Sequence, residues 1–499
     1  MNELSEQEQI RINKLEELRN LGINPYPSDE FIIDTKTIDI LNNYDNYEGK
    51  TVKLAGRLMS KRVMGGASFC ELQDNHGKIQ IYIQRDSICS GENKDLYNIV
   101  FKKLIDLGDF IGIEGYVFKT KVGEISIHVE KLTLLSKSLK PLPCVKDDGE
   151  KIHFQFTDKE QIYRQRYLDL ILNKESKEVF IKRSKIVNLM RSYFNNYGFL
   201  EVETPILQPL YGGASARPFK THHNTLDQEL YMRISNELYL KRLIIGGIDG
   251  VYEFSKDFRN EGMDRFHNPE FTQVELYVPY KDYKWMMNFT EDLLNKLVLD
   301  VCGSNSIQVG DNIINFEKPF KIYTMFEIIE HYTGIDISKM NEEELRKVCE
   351  KLDIYIDPCL GYGRIIDEIF GAKCEPNIIQ PTFITTYPIE MSPLAKQNYD
   401  NPKFVDRFEL FMNGKECANC FSELNDPIEQ RKRFEEEMRL SKRGDDETMV
   451  LDEDFLTAMS YGMPPTAGIG IGIDRLTMIL TNSKSIQDVI LFPQMRSLL

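Results

Sequence analysis

Three stretches carry side chains whose types and spacing could do chemistry. In AGIGIGIDR, residues 467–475, Gly468, Gly470 and Gly472 alternate with Ile469, Ile471 and Ile473. Alternate residues of a strand face opposite sides, so one face is bare backbone on which a flat ligand could lie and the other is an apolar ridge. Asp474 would then cap a helix, with Arg475 in its first turn projecting toward whatever occupies the bare face. A glycine-rich strand lying under a neighbouring helix is the competing reading. FRNEGMDRFHNPEFTQVELY, residues 258–277, puts Arg259 and Glu261 on one strand face by parity, then a turn at 260–264, then a strand resuming at Glu270. An arginine near an exposed aromatic and several carboxylates suits phosphate, a planar base and magnesium together, although a surface hairpin with ordinary ion pairs would look similar. In RFELFMNGKECANCFSEL, residues 407–424, Glu409 and Glu416 flank a turn at Asn413-Gly414, while Asn419, Phe421 and Glu423 alternate. Two carboxylates brought together across a hairpin can hold a divalent metal. The single C-x-x-C of Cys417 and Cys420 is a poor zinc site, because strand residues three apart point to opposite faces, and tandem His222-His223 fails similarly.

The elements that must position these groups are legible in outline. Ile12, Leu15, Leu18 and Leu21 recur at helical spacing before Gly22, which predicts an opening amphipathic helix. From about Thr51 to Leu142 the period becomes two: Ile79, Ile81 and Ile83 alternate with polar residues, as do Ile125, Ile127 and Val129. With Asn75-His76-Gly77 as a hairpin turn, several short strands in this stretch suggest a small closed barrel, an oligonucleotide-binding barrel being one candidate. Residues 140–151 read as a linker. A long helix follows over Lys177–Tyr197, then the strand-like FLEVETP, stopped by Pro205, and the pattern between Phe326 and Phe370 is mostly helical. There is no G-x-x-x-x-G-K-[ST] loop, no G-x-G-x-x-G after a strand, no H-E-x-x-H and no G-x-S-x-G, so the common nucleotide and hydrolase sites are unsupported.

Composition narrows the classes further. The 499 residues suit two or three domains. With 62 Lys+Arg against 78 Asp+Glu the net charge is −16, which argues against coating nucleic acid or anionic membrane by bulk electrostatics. Residues 51–140 run the other way, with 14 Lys+Arg against 10 Asp+Glu, so any nucleic acid is expected to be gripped there, near Lys61 and Arg62. No apolar run approaches a membrane span of about 20 residues. The start MNELSEQEQIRINK lacks the marks of a secretory signal, and nine scattered cysteines suit reduced thiols, so a cytoplasmic protein is expected.

Taken together, these stretches resemble the class II aminoacyl-tRNA synthetases, whose three motifs occur here in order: the long helix and strand ending at Pro205, FRNEG with HNPEF at 258–271, and GIGIGIDR at 468–475. The H-I-G-H and K-M-S-K-S signatures of the opposing class are absent. Within the class, RQRYLDL (164–170), GGASARPF (212–219), THHN, ELYLKRL (237–243), QPTFITTYP, FSELNDP and PPTAG look like the bacterial-type lysyl-tRNA synthetases, and the resemblance covers nearly the whole chain. It implies an α/β protein of the α+β type: an N-terminal OB-fold β-barrel that binds the anticodon, and a catalytic domain built on an antiparallel sheet flanked by helices. The implied layout is a helical extension over 1–50, the barrel over 51–145, a linker or hinge over 146–175 and the catalytic domain over 176–499, with a helical insertion around 323–375.

The resemblance implies ATP-dependent ligation of L-lysine to the 3′ end of tRNA(Lys) through a lysyl-adenylate, in a homodimer that needs Mg²⁺ and no membrane. By motif match, Arg259, Glu261 and Arg475 are the catalytic groups. Arg259, Glu261, His267, Phe271, Glu416, Gly472 and Arg475 would bind ATP, with Phe271 and Arg475 sandwiching the adenine, and Glu409 and Glu416 would carry the metal. Lysine would be held by Gly213, Glu237, Arg259, Glu275, Tyr277, Asn419, Phe421 and Glu423, with Glu237 at the α-amino group and Glu423 at the ε-ammonium. Replacing the water around two ammonium groups independently calls for carboxylates at both ends of the substrate. Phe69 and Gln80 would read the anticodon, Phe69 by stacking. Three positions depart from the family's pattern: Asn236 stands where relatives carry proline, and Cys417 and Cys420 stand where bacterial relatives carry Ile and Gly. The thiols are therefore expected to line the pocket and make activity sensitive to modification. Two rivals remain: a lysine ligase acting on a protein acceptor, and a non-catalytic RNA-binding paralogue.

Overall fold

The computed structural model describes residues 4–143, 156–358, 360–441 and 450–497, and two-residue strands at Lys146–Asp147 and Ile152–His153. Half of the expected linker at 140–151 lies outside the described residues, as do Cys144 and Cys359. The chain divides into two compact units, Met1–Phe156 and Thr157–Leu499.

The first unit opens with the helix Glu6–Asn20, begun by a reciprocal capping box between Ser5 and Glu8. Leu15 and Leu18 are buried from its stripe, whereas Leu21 is exposed. Five strands then close into a barrel in the order Thr51–Met64, Ala67–Gln73, Lys78–Gln84, Ile125–Ser136, Phe110–Lys119. The period-two pattern sorts them: Ile79, Ile81 and Ile83 pack inside with Leu72 and Ile127, leaving Gln80 and Tyr82 outside. The expected hairpin turn is held by Asp74, whose Oδ1 accepts from the backbone N–H groups of His76 and Gly77 at 2.7 and 2.8 Å.

The second unit is built on an eight-stranded sheet. Its strands lie in the order Lys321–Thr324, Thr382–Pro388, Phe404–Met412, Lys415–Ser422, Thr466–Gly472, Glu270–Pro279, Val251–Phe258, Leu200–Glu201. The first and last pairs are parallel and the rest antiparallel. The helices Lys174–Asn196, Tyr283–Cys302 and Ile473–Thr481 supply Met190, Phe289, Leu293 and Ile479 to one core with Ile469 and Ile471 of the sheet. Residues 325–373 form three more helices, whose Ile329, Leu345 and Ile366 share a separate cluster. A barrel followed by a mostly antiparallel sheet flanked by helices is the α+β arrangement expected.

Four local expectations change. Residues 159–172, read as part of a linker, are two helices, because the buried Arg166 ties them down: its guanidinium donates to the carbonyls of Gln487 at 2.8 Å and Leu491 at 3.1 Å and pairs with buried Asp169 at 2.7 Å. FLEVETP is a strand only at Leu200–Glu201; Thr204 leaves the sheet and its hydroxyl donates to Glu253 at 2.7 Å. The strand before the second motif stops at Phe258, so Arg259 and Glu261 do not share a strand face and sit on the following loop. Asp474 is not the cap of its helix. Gly472 holds that position, and Asp474 instead accepts from the Thr272 N–H at 2.7 Å and pairs with Arg183 at 2.5 Å. Among the described residues no helix is long and apolar enough to cross a membrane.

Candidate functional site

Strand register places the candidate residues in rows across the sheet face opposite the helical core. One row runs Glu253, Glu275, Gly470, Asn419, Glu409; the next runs Val251, Tyr277, Gly468, Phe421, Arg407. Even spacing along each strand therefore gathers Glu275 with Tyr277, Gly468 with Gly470 and Gly472, and Asn419 with Phe421. These side chains floor a cavity of about 510 Å³ that also receives Gly213, Glu237, Arg259, Glu261, His267, Phe271, Glu409, Glu416 and Arg475. Of the residues expected around ATP, lysine and metal, only Glu423 is not on the cavity wall. It lies just behind, because a Cβ built on Gly468 would come within 2.1 Å of its Oε1 and 2.5 Å of the Tyr277 ring. The glycines of this strand are thus unequal, for Gly470 and Gly472 have no neighbour nearer than 3.8 Å at the same position.

One end of the cavity is arranged for anions. The Arg259 guanidinium lies 5.0 Å from the centre of the Phe271 ring, and its buried Nε has no acceptor among the described residues. The loop after Arg259 is held by Asp264, whose Oδ1 accepts from the N–H groups of Phe266 at 2.6 Å and His267 at 2.8 Å. Arg475 donates to His267 Nε2 at 3.2 Å, which leaves Nδ1–H to face Asp264 Oδ2 at 2.9 Å. A second Arg475 N–H donates to the Glu416 carbonyl at 2.9 Å. Each arginine thus has a fixed body and a guanidinium lining the cavity.

The cavity wall also carries Glu409 and Glu416. Glu409 accepts from the Tyr387 hydroxyl at 2.8 Å and pairs with Arg407. Burial, with the negative charge of Glu416 adding to it, raises its pKa to about 7. Two carboxylates on one wall, the charge of Glu416 opposing the ionisation of Glu409, fit a magnesium ion, which takes oxygen ligands and completes its shell with water and phosphate. Among the described residues no three acidic, histidine or cysteine groups converge to hold a metal unaided.

The far end is arranged for cations. Glu237 starts the helix Glu237–Ile245, its N–H donating to Ser235 Oγ at 3.1 Å, and Gly213, at φ +85°, folds over both. A Cβ on Gly213 would meet Ser235 Oγ at 2.9 Å. Glu275 accepts from Ser235 at 3.0 Å, Gln273 at 2.7 Å and Tyr277 at 2.9 Å. Burial, then Asp257 and Glu237, raise the Glu275 pKa to about 8. Glu423 is fully enclosed, its Oε1 has no hydrogen-bond partner among the described residues, and burial holds its pKa well above the ordinary range. Sequence reasoning missed two charged groups here. Lys241 bridges Glu237 and Glu423, and its signal was the four-residue spacing from Glu237 along one helix face. Arg407 enters from two residues before Glu409, where strand parity could have found it.

The departures resolve separately. Asn236 faces away from the cavity and donates to Glu253 at 3.0 Å, beside the Arg233–Glu253 pair at 2.6 Å. Both thiols pack in the core behind the sheet, and of the two only Cys417 also reaches the wall, so one thiol at most meets the expectation. Burial pushes the Cys417 thiol up to about 12, which leaves little thiolate to modify.

On the barrel, Phe69 and Gln80 line a second cavity, of about 350 Å³, with Ser60, Arg62, Lys78 and Glu124. Phe69 is outside the barrel core, paired with Tyr82 at 5.0 Å between ring centres, and Gln80 accepts from Ser126 at 2.8 Å. Lys61 reaches this cavity only by its stem. Its ammonium donates to the carbonyls of Phe101 at 2.9 Å and Ile105 at 2.6 Å, so the local positive charge rests on Arg62 and Lys78 rather than Lys61.

The fold and this site define a class of protein, and comparison agrees: residues 158–496 match the family of tRNA synthetases class II (D, K and N), and residues 52–135 match the OB-fold nucleic acid binding domain. The chain is 59% identical over 497 residues to a lysine–tRNA ligase of Porphyromonas gingivalis, covering 99% of this chain and 86% of that one. It is 58% identical over 494 residues to the lysine–tRNA ligase of Azobacteroides pseudotrichonymphae, covering 99% of each, and 58% identical to that of Christiangramia forsetii. The chain belongs to the class II tRNA synthetases and, within them, to the lysine–tRNA ligases.

Proposed function

We infer that this protein joins L-lysine to the 3′ end of tRNA(Lys) at the expense of ATP, through a lysyl-adenylate. The observation that carries the reading is the polarity of one cavity: among the described residues a buried arginine nitrogen lacks an acceptor at one end, and a buried glutamate oxygen just behind the wall at the other lacks a donor. An α-amino acid with a distant ammonium satisfies both. Arg259 serves the α-phosphate and the lysine carboxylate, Arg475 and His267 the outer phosphates, and Phe271 with Arg475 the two faces of the adenine. Glu261 sits beside the nucleotide, and Gly472 leaves room for it. Glu237 takes the α-amino group under Gly213, while Glu423, Glu275, Tyr277, Asn419 and Phe421 surround the ε-ammonium. Glu409 and Glu416 would hold Mg²⁺, which supplies charge neutralisation at the phosphates when bound.

Both steps follow from positioning. A lysine carboxylate oxygen bonds to the α-phosphorus while the bond to the bridging oxygen breaks and pyrophosphate leaves; the terminal adenosine hydroxyl then attacks the lysyl carbonyl and AMP leaves. Fixed guanidinium groups that meet the developing charge do the work a nucleophile does elsewhere. The one thiol on the wall, Cys417, is held protonated by burial and is not that nucleophile. The barrel, residues 51–145, presents Phe69 and Gln80 to the anticodon, and residues 176–499 carry the chemistry. The exposed Leu200, Ile206, Leu207 and Leu210, beside the sheet's last strand, support a homodimer. The seven described cysteines are all free, in keeping with the cytoplasm. Charging of purified tRNA with each amino acid tests the reading: lysine alone should be esterified to tRNA(Lys), and transfer to protein with none to tRNA would reverse it.

A further inference from the structure

Lys241 has an environment that no role assigned above explains. Its side chain is fully enclosed, and its single ammonium makes ion pairs with both Glu237 and Glu423, while lying 5.5 Å from the centre of the Phe421 ring. These two carboxylates belong to different elements, the first turn of the helix Glu237–Ile245 and the residue following the strand Lys415–Ser422. A buried ammonium left unpaired is costly, and so is each buried carboxylate, so the three groups hold one another in place. Glu275 and Tyr277 face the same cluster from the neighbouring strand, and Arg407 adds a second positive charge near Glu237. Lys241 does not line the cavity. It stands behind Glu237, which lines the cavity, and pairs with Glu423, which is enclosed just behind the wall.

We propose that Lys241 is a positioning residue that sets the distance between Glu237 and Glu423, and so makes the pocket select the chain length between the two ammonium groups of its substrate. The inference rests on the lysine reading, in which Glu237 and Glu423 receive the α-amino and ε-ammonium groups. Glutamate side chains have three rotatable bonds and would otherwise drift to meet a shorter diamine. One nitrogen touching both removes that freedom, in the manner of a supporting group that holds a contacting one. A residue acting only to neutralise charge would leave the preference for length untouched.

The test is ATP–pyrophosphate exchange with lysine and with ornithine, one methylene shorter, using the full chain and the variants Lys241→Met and Lys241→Arg. Loss of a methylene contact ordinarily discriminates by roughly 10- to 200-fold. The wild type should show such a preference, and both variants should compress it, with KM for lysine raised, KM for ATP unchanged and kcat little altered. The arginine variant keeps the charge and changes the spacing, so it carries the test where the methionine variant unfolds. A preference for lysine that both variants retain, a lowered KM for lysine in Lys241→Met, or loss of folding in both would overturn the proposal. Failure of the wild type to activate lysine would instead overturn the lysine reading itself.

Discussion

At the scale of single residues, the account rests on groups whose burial leaves them poorly satisfied. Glu423→Gln keeps the shape and removes the charge that faces the substrate's distant ammonium. It should raise KM for lysine at least tenfold, ~1.4 kcal/mol, with KM for ATP nearly unchanged; unaltered lysine dependence in pyrophosphate exchange would reject the assignment. Glu275 adds a pH dependence. Its pKa is raised to about 8, so below that value the free enzyme holds it protonated and neutral. An arriving ammonium favours the carboxylate, so kcat/KM for lysine should climb from pH 6.5 toward 8 and then level, and Glu275→Gln should flatten that climb. A wild-type profile that falls over this range would contradict the sign. Most of these residues were legible because motif order and strand parity both name them. Lys241 and Arg407 carried only weak signals, a four-residue helical spacing from Glu237 and a two-residue strand spacing from Glu409, and what makes them matter, Glu423 for one and the cavity wall for the other, is assembled from other elements.

At the scale of elements, the strand Thr466–Gly472 does most to shape the site. Its alternation predicted one bare face and one isoleucine ridge, and both are there. Sequence could not say which glycine was indispensable, because that depends on what register sets opposite: Tyr277 faces Gly468, and Glu423 folds back over it. Gly468→Ala should therefore abolish lysine-dependent exchange by roughly a hundredfold or more, since displacements of about 1 Å cost that much, while circular dichroism stays native. Gly470→Ala, whose Cβ would meet only ordinary contacts, the nearest with Glu275 at 3.8 Å, should be mild. Equal losses in the two variants would sink the steric argument. The same limit explains the misplaced details nearby. Asp474 looked like a cap by type, but its carboxylate is drawn to Arg183 and the Thr272 N–H from other elements. The second motif's strand ended early because its loop is held by Asp264 and by the Arg259 N–H bond to the Pro269 carbonyl, which parity along a strand does not register.

At the scale of the whole molecule, periodicity separated a barrel from a mixed unit, and it succeeded where the signal was local. The helices at 159–172 were hidden because Arg166 is anchored by carbonyls more than 300 residues away in sequence. The division of labour gives its own prediction. Phe69→Ala removes a stacking surface worth ~1–3 kcal/mol per base and should impair tRNA charging while sparing adenylate formation; equal loss in both assays would place Phe69 outside RNA recognition. The overall charge of −16 fits such a plan, with acidity gathered around a cationic substrate and a barrel that is locally basic. The central claim is that the cavity activates lysine with ATP, and ATP–pyrophosphate exchange measured with each of the twenty amino acids addresses it most directly. The account predicts exchange with lysine far above every other amino acid; exchange driven by aspartate or asparagine, or by none, would contradict it.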